Sequence, residues 1–304
     1  MTAAASLTAT VGESLDRAAA RLAVLPGVDA RREARLLLAH ASGLAPARLI
    51  ARPDLALAPE VEGRLRALIG RRLDREPLAY VVGEREFWSL PFAVGADVLV
   101  PRPDSETVVE AALAAFGASG ASTVLDLGTG SGCLLLALLS EWPRAQGVGL
   151  DRSARAVALA RANARRLGLE SRARFVVGDW GRALDARFDL VVCNPPYVPS
   201  AAIASLAPEV ARHEPRAALD GGGDGLDAYR ALLPDLERLV APGGAALLEI
   251  GAGQAGAVAG LLAAAGFGPA ARHRDLAGIA RCLGVRRSAA GAGQKTLGHS
   301  AAGR

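Results

Sequence analysis

The sequence predicts an α/β fold in which a mostly parallel sheet carries helices on both faces and follows a small helical bundle. Three observations predict it. Up to about residue 80, apolar residues recur at three- and four-residue spacing. From about residue 122, short and nearly continuous apolar runs alternate with helical stretches, the pattern of strands buried on both faces. Between the two lies FWSLPFAVGADVLV (87–100), which alternates around Pro91 and Gly95.

The bundle rests on three stripes: Leu15, Ala18, Ala19 and Leu22; Ala34, Leu37, Leu38 and Ala41; Val61, Leu65, Leu68 and Ile69. Breaks fall at Pro26-Gly27, Ser42-Gly43 and Pro53-Asp54. The alternating segment predicts a hairpin joining two domains. The expected strands are STVLDL (122–127), GVGL (147–150), RFVV (174–177), FDLVVC (188–193) and AALLEI (245–250), with helices notably at 133–140 and 153–167. The last residues, from 288, are small, polar and aperiodic, and a disordered tail is expected there. The domain organisation is therefore a bundle over 1–80, a hairpin linker over 81–101 and an α/β domain over 102–287.

Composition narrows the function classes. The 304 residues are 51% hydrophobic and 22% charged, which excludes a disordered or fibrous chain. Lys295 is the single lysine beside 34 arginines, a bias of composition more than a binding signature. Residues 1–80 hold 12 basic and 9 acidic side chains, whereas 81–287 hold 21 and 22, so the long body is no basic platform. Cys133, Cys193 and Cys282 lack C-x-x-C spacing, and the four histidines form no cluster, which argues against a disulfide framework and a metal site. No basic segment followed by an apolar run opens the chain. The uncharged stretch Ile250–Ala271 is rich in Gly and Ala and carries Gln254 and Pro269, so a loop and buried helix are expected there rather than a membrane span. A cytoplasmic protein follows as the expectation.

In such sheets ligands sit beyond the C-terminal ends of the strands. Asp126-Leu127-Gly128-Thr129-Gly130-Ser131-Gly132 leaves the first strand and opens a helix, and its glycines allow a tight turn and close approach to bare backbone. Asp151 closes the second strand, where a carboxylate can accept from two ribose hydroxyls. Asp179-Trp180 closes the third, where an acceptor and an indole can hold an adenine edge and face. Three such features at successive strand ends describe an adenosine pocket.

The fourth strand ends in Asn194-Pro195-Pro196-Tyr197. Two prolines fix the backbone and supply no N–H, so the turn presents oxygens. With the Asn194 side-chain oxygen it offers two acceptors suited to an NH2 group, and Tyr197 offers a ring for a flat substrate. A nitrogen conjugated to a carbonyl or aromatic ring is a poor nucleophile. Gripping both N–H groups orients its lone pair and stabilises the charge that develops on it. Neither a metal nor a strong base before attack is needed.

The order of parts resembles the S-adenosylmethionine-dependent methyltransferases, of Rossmann-like fold. Asn-Pro-Pro-Tyr alone does not choose between adenine-N6 DNA methyltransferases and enzymes of glutamine amides. Phe87-Trp88-Ser89-Leu90-Pro91-Phe92, Val100-Pro101-Arg102-Pro103-Asp104-Ser105-Glu106 and EPRAALDGGGDGLDAYR (214–230) complete a set that resembles the HemK-type release-factor glutamine methyltransferases over about residues 10–287. The resemblance implies S-adenosyl-L-methionine as methyl donor, and as substrate the N5 amide nitrogen of the glutamine in the Gly-Gly-Gln motif of class 1 peptide chain release factors. It implies cofactor contacts from Gly128, Thr129, Gly130, Ser131, Gly132, Asp151, Asp179, Trp180 and Asn194. Asn194, Pro195, Pro196 and Tyr197 would hold the target amide.

Arg102 and Glu106 are expected either to border this pocket or to pair and anchor the hairpin. Ser105 stands where the family commonly has threonine, and IARCLGVRR (279–287) is less polar than expected of an edge strand. The positive N-terminal domain, through Arg71, Arg72 and Arg75, is expected to meet the acidic body of a release factor. A near-neutral catalytic portion without a separate recognition domain does not call for direct nucleic-acid binding. A dinucleotide dehydrogenase is disfavoured, because the loop departs from G-x-G-x-x-G and Asn-Pro-Pro-Tyr has no part in hydride transfer.

Overall fold

The computed structural model describes residues 9–288, and the expected tail beyond Ser288 lies outside them. Five helices come first among the described residues: α1 (Val11–Leu22), α2 (Ala30–Ser42), α3 (Pro46–Ala51), α4 (Pro59–Leu73) and α5 (Leu78–Val82). A two-stranded hairpin, β1 (Glu84–Phe87) and β2 (Leu90–Ala93), precedes α6 (Glu106–Phe116), β3 (Thr123–Leu127), α7 (Cys133–Glu141), β4 (Gln146–Asp151) and α8 (Ala154–Arg166). There follow β5 (Ala173–Val177), β6 (Phe188–Cys193), α9 (Pro208–His213), α10 (Arg216–Leu219) and α11 (Asp227–Leu239). The chain continues through β7 (Val240–Glu249), α12 (Ala255–Ala264), β8 (Ala271–Arg274) and β9 (Ala280–Arg286).

These elements form two compact units. One comprises residues up to Glu86, Pro91–Val100 and Ala202–Arg216; the other comprises Phe87–Leu90, Pro101–Ala201 and the chain from Ala217. In the first unit the helix starts are written locally. Thr10 and Glu13 close a reciprocal capping box on α1, Asp29 caps α2, and Pro46 and Pro59 open α3 and α4. Leu22, Leu37, Leu38, Leu49, Leu65 and Ile69 are buried together beneath the expected stripes.

The three arginines assigned to docking are spent within this unit. Arg72, 2% exposed, reaches Glu33 at 2.8 Å and Glu209 at 3.4 Å. Arg75 meets Glu209 at 2.7 Å, while Arg71 pairs with Glu76 and reaches the carbonyls of Tyr80 and Val81. Their charges tie the Ala202–Arg216 segment and α5 to α4; Arg72 is buried and Arg75 nearly so, whereas Arg71 keeps 43% of its side chain exposed. The desolvation of a buried guanidinium requires such partners.

The second unit holds a seven-stranded sheet of order β5-β4-β3-β6-β7-β9-β8. The pairs from β5 to β7 are parallel, and β9 runs antiparallel to both β7 and β8. The chain builds outward from β3 to β5, then returns to lay β6 on the other side of β3, so the switch point lies between β3 and β6. The sheet matches the expected mostly parallel architecture, with two corrections. The hairpin occupies 84–93 rather than 87–100, because its turn is made by Trp88 and Ser89 at φ 52° and 56°, without the glycine or asparagine that marks such turns. IARCLGVRR supplies an interior strand: β9 sits between β7 and β8, which is why Cys282, Leu283 and Val285 are buried and apolar.

Replacing Arg72 with alanine leaves Glu33 without its partner beside an emptied site, while Glu209 keeps Arg75. Stability in a denaturant titration is expected to fall by about 3 kcal/mol. An unchanged midpoint would show that the pairs contribute nothing.

Candidate active site

Register brings the site together. Leu127 on β3 stands level with Leu150 on β4 and with Cys193 on β6, and Cys193 is level with Leu248 on β7. The next residues in each strand or loop, Gly128, Asp151, Asn194 and Glu249, therefore emerge along one edge of the sheet. All belong to the second unit.

The glycine loop is closed by its own neighbours. Gly128 and Thr129 donate their amides to the Leu150 carbonyl at 2.8 and 2.9 Å. The Gly130 amide donates to Asp151 Oδ2 at 2.9 Å, and Gly132 donates to Thr129. Gly128, Gly130 and Gly132 have φ of 74°, 54° and 83°, the left-handed region that a Cβ disfavours. From α8, fully buried Asn163 donates to the Ser131 carbonyl at 2.9 Å. With these donors occupied, the loop is a poor cradle for phosphate, which needs several outward N–H groups.

Beneath it lies a buried acid. Asp126, 1% exposed, accepts from the Thr129 hydroxyl at 2.6 Å through Oδ2, while Oδ1 is buried with no hydrogen-bond partner. Burial pushes its carboxyl up to about 7, with the Thr129 bond opposing and Asp151 adding to the rise. A cation fits this surrounding better than an anion does. Asp151 itself is engaged through both oxygens, to Gly130 and to the Ser153 amide at 2.8 Å, and each oxygen keeps a further lone pair.

Asp179 and Trp180 stand apart in character. The Asp179 carboxylate is exposed and paired with Arg182 at 2.6 Å. Trp180, at φ 48°, lies half-buried against the sheet's core, its ring aimed by a backbone conformation rare for a bulky residue.

The Asn194–Tyr197 turn is clamped from behind. A Cβ at Gly221 would stand 2.8 Å from the Pro196 carbonyl oxygen, and one at Gly225 would stand 2.4 Å from that of Tyr197. Gln254 Nε2 donates to the Tyr197 carbonyl at 3.0 Å, and Val198 pairs with Asp220 in a parallel bridge. These approaches explain Gly221 and Gly225, two of the four glycines of the 214–230 motif. The Tyr197 carbonyl is thereby engaged by Gln254, and the Pro196 carbonyl lies against the backbone of Gly221. Asn194 Nδ2 donates to Ser105 Oγ at 3.3 Å, so its Oδ1 remains an acceptor. The Tyr197 hydroxyl donates to Glu249 Oε1 at 3.2 Å.

Of the second-tier residues, Arg102 lies near enough to Tyr197 to act on its hydroxyl electrostatically, bordering the site. Glu106 instead accepts from the Trp88 amide at 2.9 Å and anchors the strained hairpin turn. Sequence reasoning passed over Glu249, Ser105, Gln254 and Asn163 as site residues. Glu249 had a signal: it is the single acid in the apolar run 245–250, and it is 1% exposed. Burial pushes it up to about 7, against hydrogen bonds from Ser105 and Tyr197. Gln254 and Asn163 carried none, since only the packed fold brings them to these carbonyls.

Comparison with known proteins gives the family and the fold. A family model described as a methyltransferase domain matches residues 118–254, and the PrmC N-terminal domain matches 13–83. The release factor glutamine methyltransferase of Rhodospirillum rubrum is 52% identical over 92% of this chain and 86% of its own. That of Cereibacter sphaeroides is 46% identical over 91% and 99%. Among solved structures, the catalytic domain of hMettl16 with a MAT2A 3′UTR hairpin is similar at a TM-score of 0.54 and 15% identity, over 70% of this chain and 78% of that one. The last is a likeness of fold alone. The Rossmann-like methyltransferase fold expected from the sequence is thus present, and no helix of the described residues is long and apolar enough to cross a membrane.

The buried acids predict a pH dependence. Asp126 has a higher pKa folded than unfolded, so the native state binds more protons between about pH 4 and 7, and its contribution to stability falls as pH rises through that window. Asp126→Asn removes this loss. At pH 8 the ligand-free variant is expected to be more stable than the parent by roughly 2–4 kcal/mol, with no gain at pH 4. Parallel urea midpoints for the two proteins across that range would contradict the assignment.

Proposed function

The chain belongs to the release factor glutamine methyltransferases, and from that premise we propose that it methylates the N5 amide nitrogen of the glutamine in the Gly-Gly-Gln motif of class 1 peptide chain release factors, with S-adenosylmethionine as donor. The observation that carries the reading is the shared edge: a closed glycine loop over a buried acid and a proline-stiffened turn, with Leu127 level with Cys193.

The donor fits the residues present. Asp126, with an orphaned buried oxygen, favours a positively charged group, and the loop's occupied amides disfavour a pyrophosphate. Gly128 to Gly132 would lie along the methionine part, Asp151 would receive the ribose hydroxyls, and Asp179 with Trp180 would border the base. When bound, S-adenosylmethionine supplies an electrophilic methyl group on a sulfonium centre.

The rest is done by the chain. Asn194 Oδ1 and the Pro195 carbonyl accept the two N–H groups of the target carboxamide, while Pro196 and the clamp behind it keep those oxygens in place. An amide nitrogen lends its lone pair to its carbonyl, so the ground state resists alkylation. As a fourth bond forms, positive charge grows on nitrogen, its N–H···O hydrogen bonds to these acceptors strengthen, and release of one of the two protons to solvent then leaves a neutral N-methyl amide. Interactions of that kind stabilise the transition state more than the ground state. Tyr197, its hydroxyl held by Glu249, packs its ring beside the planar amide.

The direct test is to incubate the protein with methyl-labelled donor and, separately, a release factor, ribosomal RNA or DNA. Mass spectrometry is expected to find one added methyl on the glutamine of the Gly-Gly-Gln peptide. Label in a nucleic acid, or in none of the three, would overturn the reading. Asn194→Ala is expected to cost roughly 2–4 kcal/mol in kcat, with donor affinity by calorimetry nearly preserved. Normal turnover would remove Asn194 from the role.

A further inference from the structure

An asparagine carboxamide can point either way. Flipped, Asn194 would aim two N–H donors at the N–H groups it must receive, and the turn would repel its substrate. We propose that Ser105 is a positioning residue that holds Asn194 with its oxygen toward the substrate, and that Glu249 gives Ser105 this ability. The inference rests on the function proposed above.

Hydrogen-bond polarity sets the orientation of this amide. Asn194 Nδ2 has only protons to offer, and it lies 3.3 Å from Ser105 Oγ. Ser105, 3% exposed, has its own proton to direct elsewhere, and the Glu249 carboxyl, with one oxygen buried and without a hydrogen-bond partner, lies close enough for Ser105 to lower its affinity for a proton. The Tyr197 hydroxyl converges on the same carboxyl at 3.2 Å. The chain runs from Asn194 to Ser105 to Glu249, with Tyr197 entering from the other end. A buried acceptor thus terminates donors from both ends of the Asn194–Tyr197 turn. Without Glu249, Ser105 could rotate and donate to Asn194 Oδ1, which stabilises the flipped amide. With Glu249 in place, that proton is committed, and the flipped amide would set two acceptor oxygens against each other. Asp104 and Arg281, paired at 2.8 Å, flank the same carboxyl with opposite charges, one raising and one lowering its affinity for a proton.

The test is a double-mutant cycle on the full-length protein, with single-turnover methylation of a release factor, donor affinity and melting temperature measured for each variant. Ser105→Ala is expected to lower the methyl-transfer rate about 10- to 100-fold, with donor affinity within twofold and the melting temperature close to that of the parent. Ser105→Thr keeps the hydroxyl and is expected to recover most of the rate. In the Asn194→Ala background, Ser105→Ala should cause no further loss, since Ser105 acts through Asn194. Wild-type rate in Ser105→Ala overturns the proposal. So does an equal loss in both backgrounds, which would mark a general structural role. A wild-type protein that leaves the release factor unmethylated overturns the functional reading itself, and is distinct from an active enzyme indifferent to Ser105.

Discussion

Because β3 runs parallel to both β4 and β6 and is level with each, the loops that leave these strands must share one edge. Slipping β6 by one residue would turn Val192 and Cys193 to the opposite faces and carry Asn194 away from the glycine loop. The ladder therefore does more than build a core. Buried apolar side chains on both faces hold the register, and the register sets an acceptor turn beside a closed glycine loop. Glu249 reaches the same edge by the same device, since Leu248 is level with Cys193.

The polarity of that edge is unusual for a nucleotide-binding sheet. Backbone amides of the glycine loop are consumed by Leu150, Asp151 and Thr129, and the side chains beneath are acidic. Carboxylates lie beneath the loop where a phosphate-binding fold would present N–H groups. Such a surface suits a cationic donor and an amide whose nitrogen turns positive as it reacts. Two carboxyls with orphaned oxygens, Asp126 and Glu249, are the cost of this arrangement in the ligand-free protein.

In the bundle unit, arginine serves a different end. Net positive charge over residues 1–80 invites a docking interpretation, yet Arg72 and Arg75 grip Glu209 on a segment more than 130 positions away. Counting charges along a chain cannot separate a presented guanidinium from one that is paired within the fold. The pairing also gives Ala202–Arg216, which follows the acceptor turn in the chain, its place in the bundle unit.

Period and punctuation alone determined the three long helices of the bundle, though not the short α3 and α5, and also the parallel strands and the positions of the glycine loop and the Asn194–Tyr197 turn at their ends. Each is a local rule: apolar spacing, caps, glycine where φ is positive, proline where no N–H is wanted. FDLVVC, for instance, is a strand at the residues expected, 188–193. Contact between distant segments was decided only by the tertiary structure. The Trp88-Ser89 turn lacks a turn signature and is held instead by Glu106. Strand β9 reads as an edge and lies inside the sheet, because β8 covers it. Ser105, Glu249 and Gln254 act on the acceptor turn from 52 to 89 positions away. Sequence spacing carries no record of that proximity, since it is created by the sheet's crossover connections.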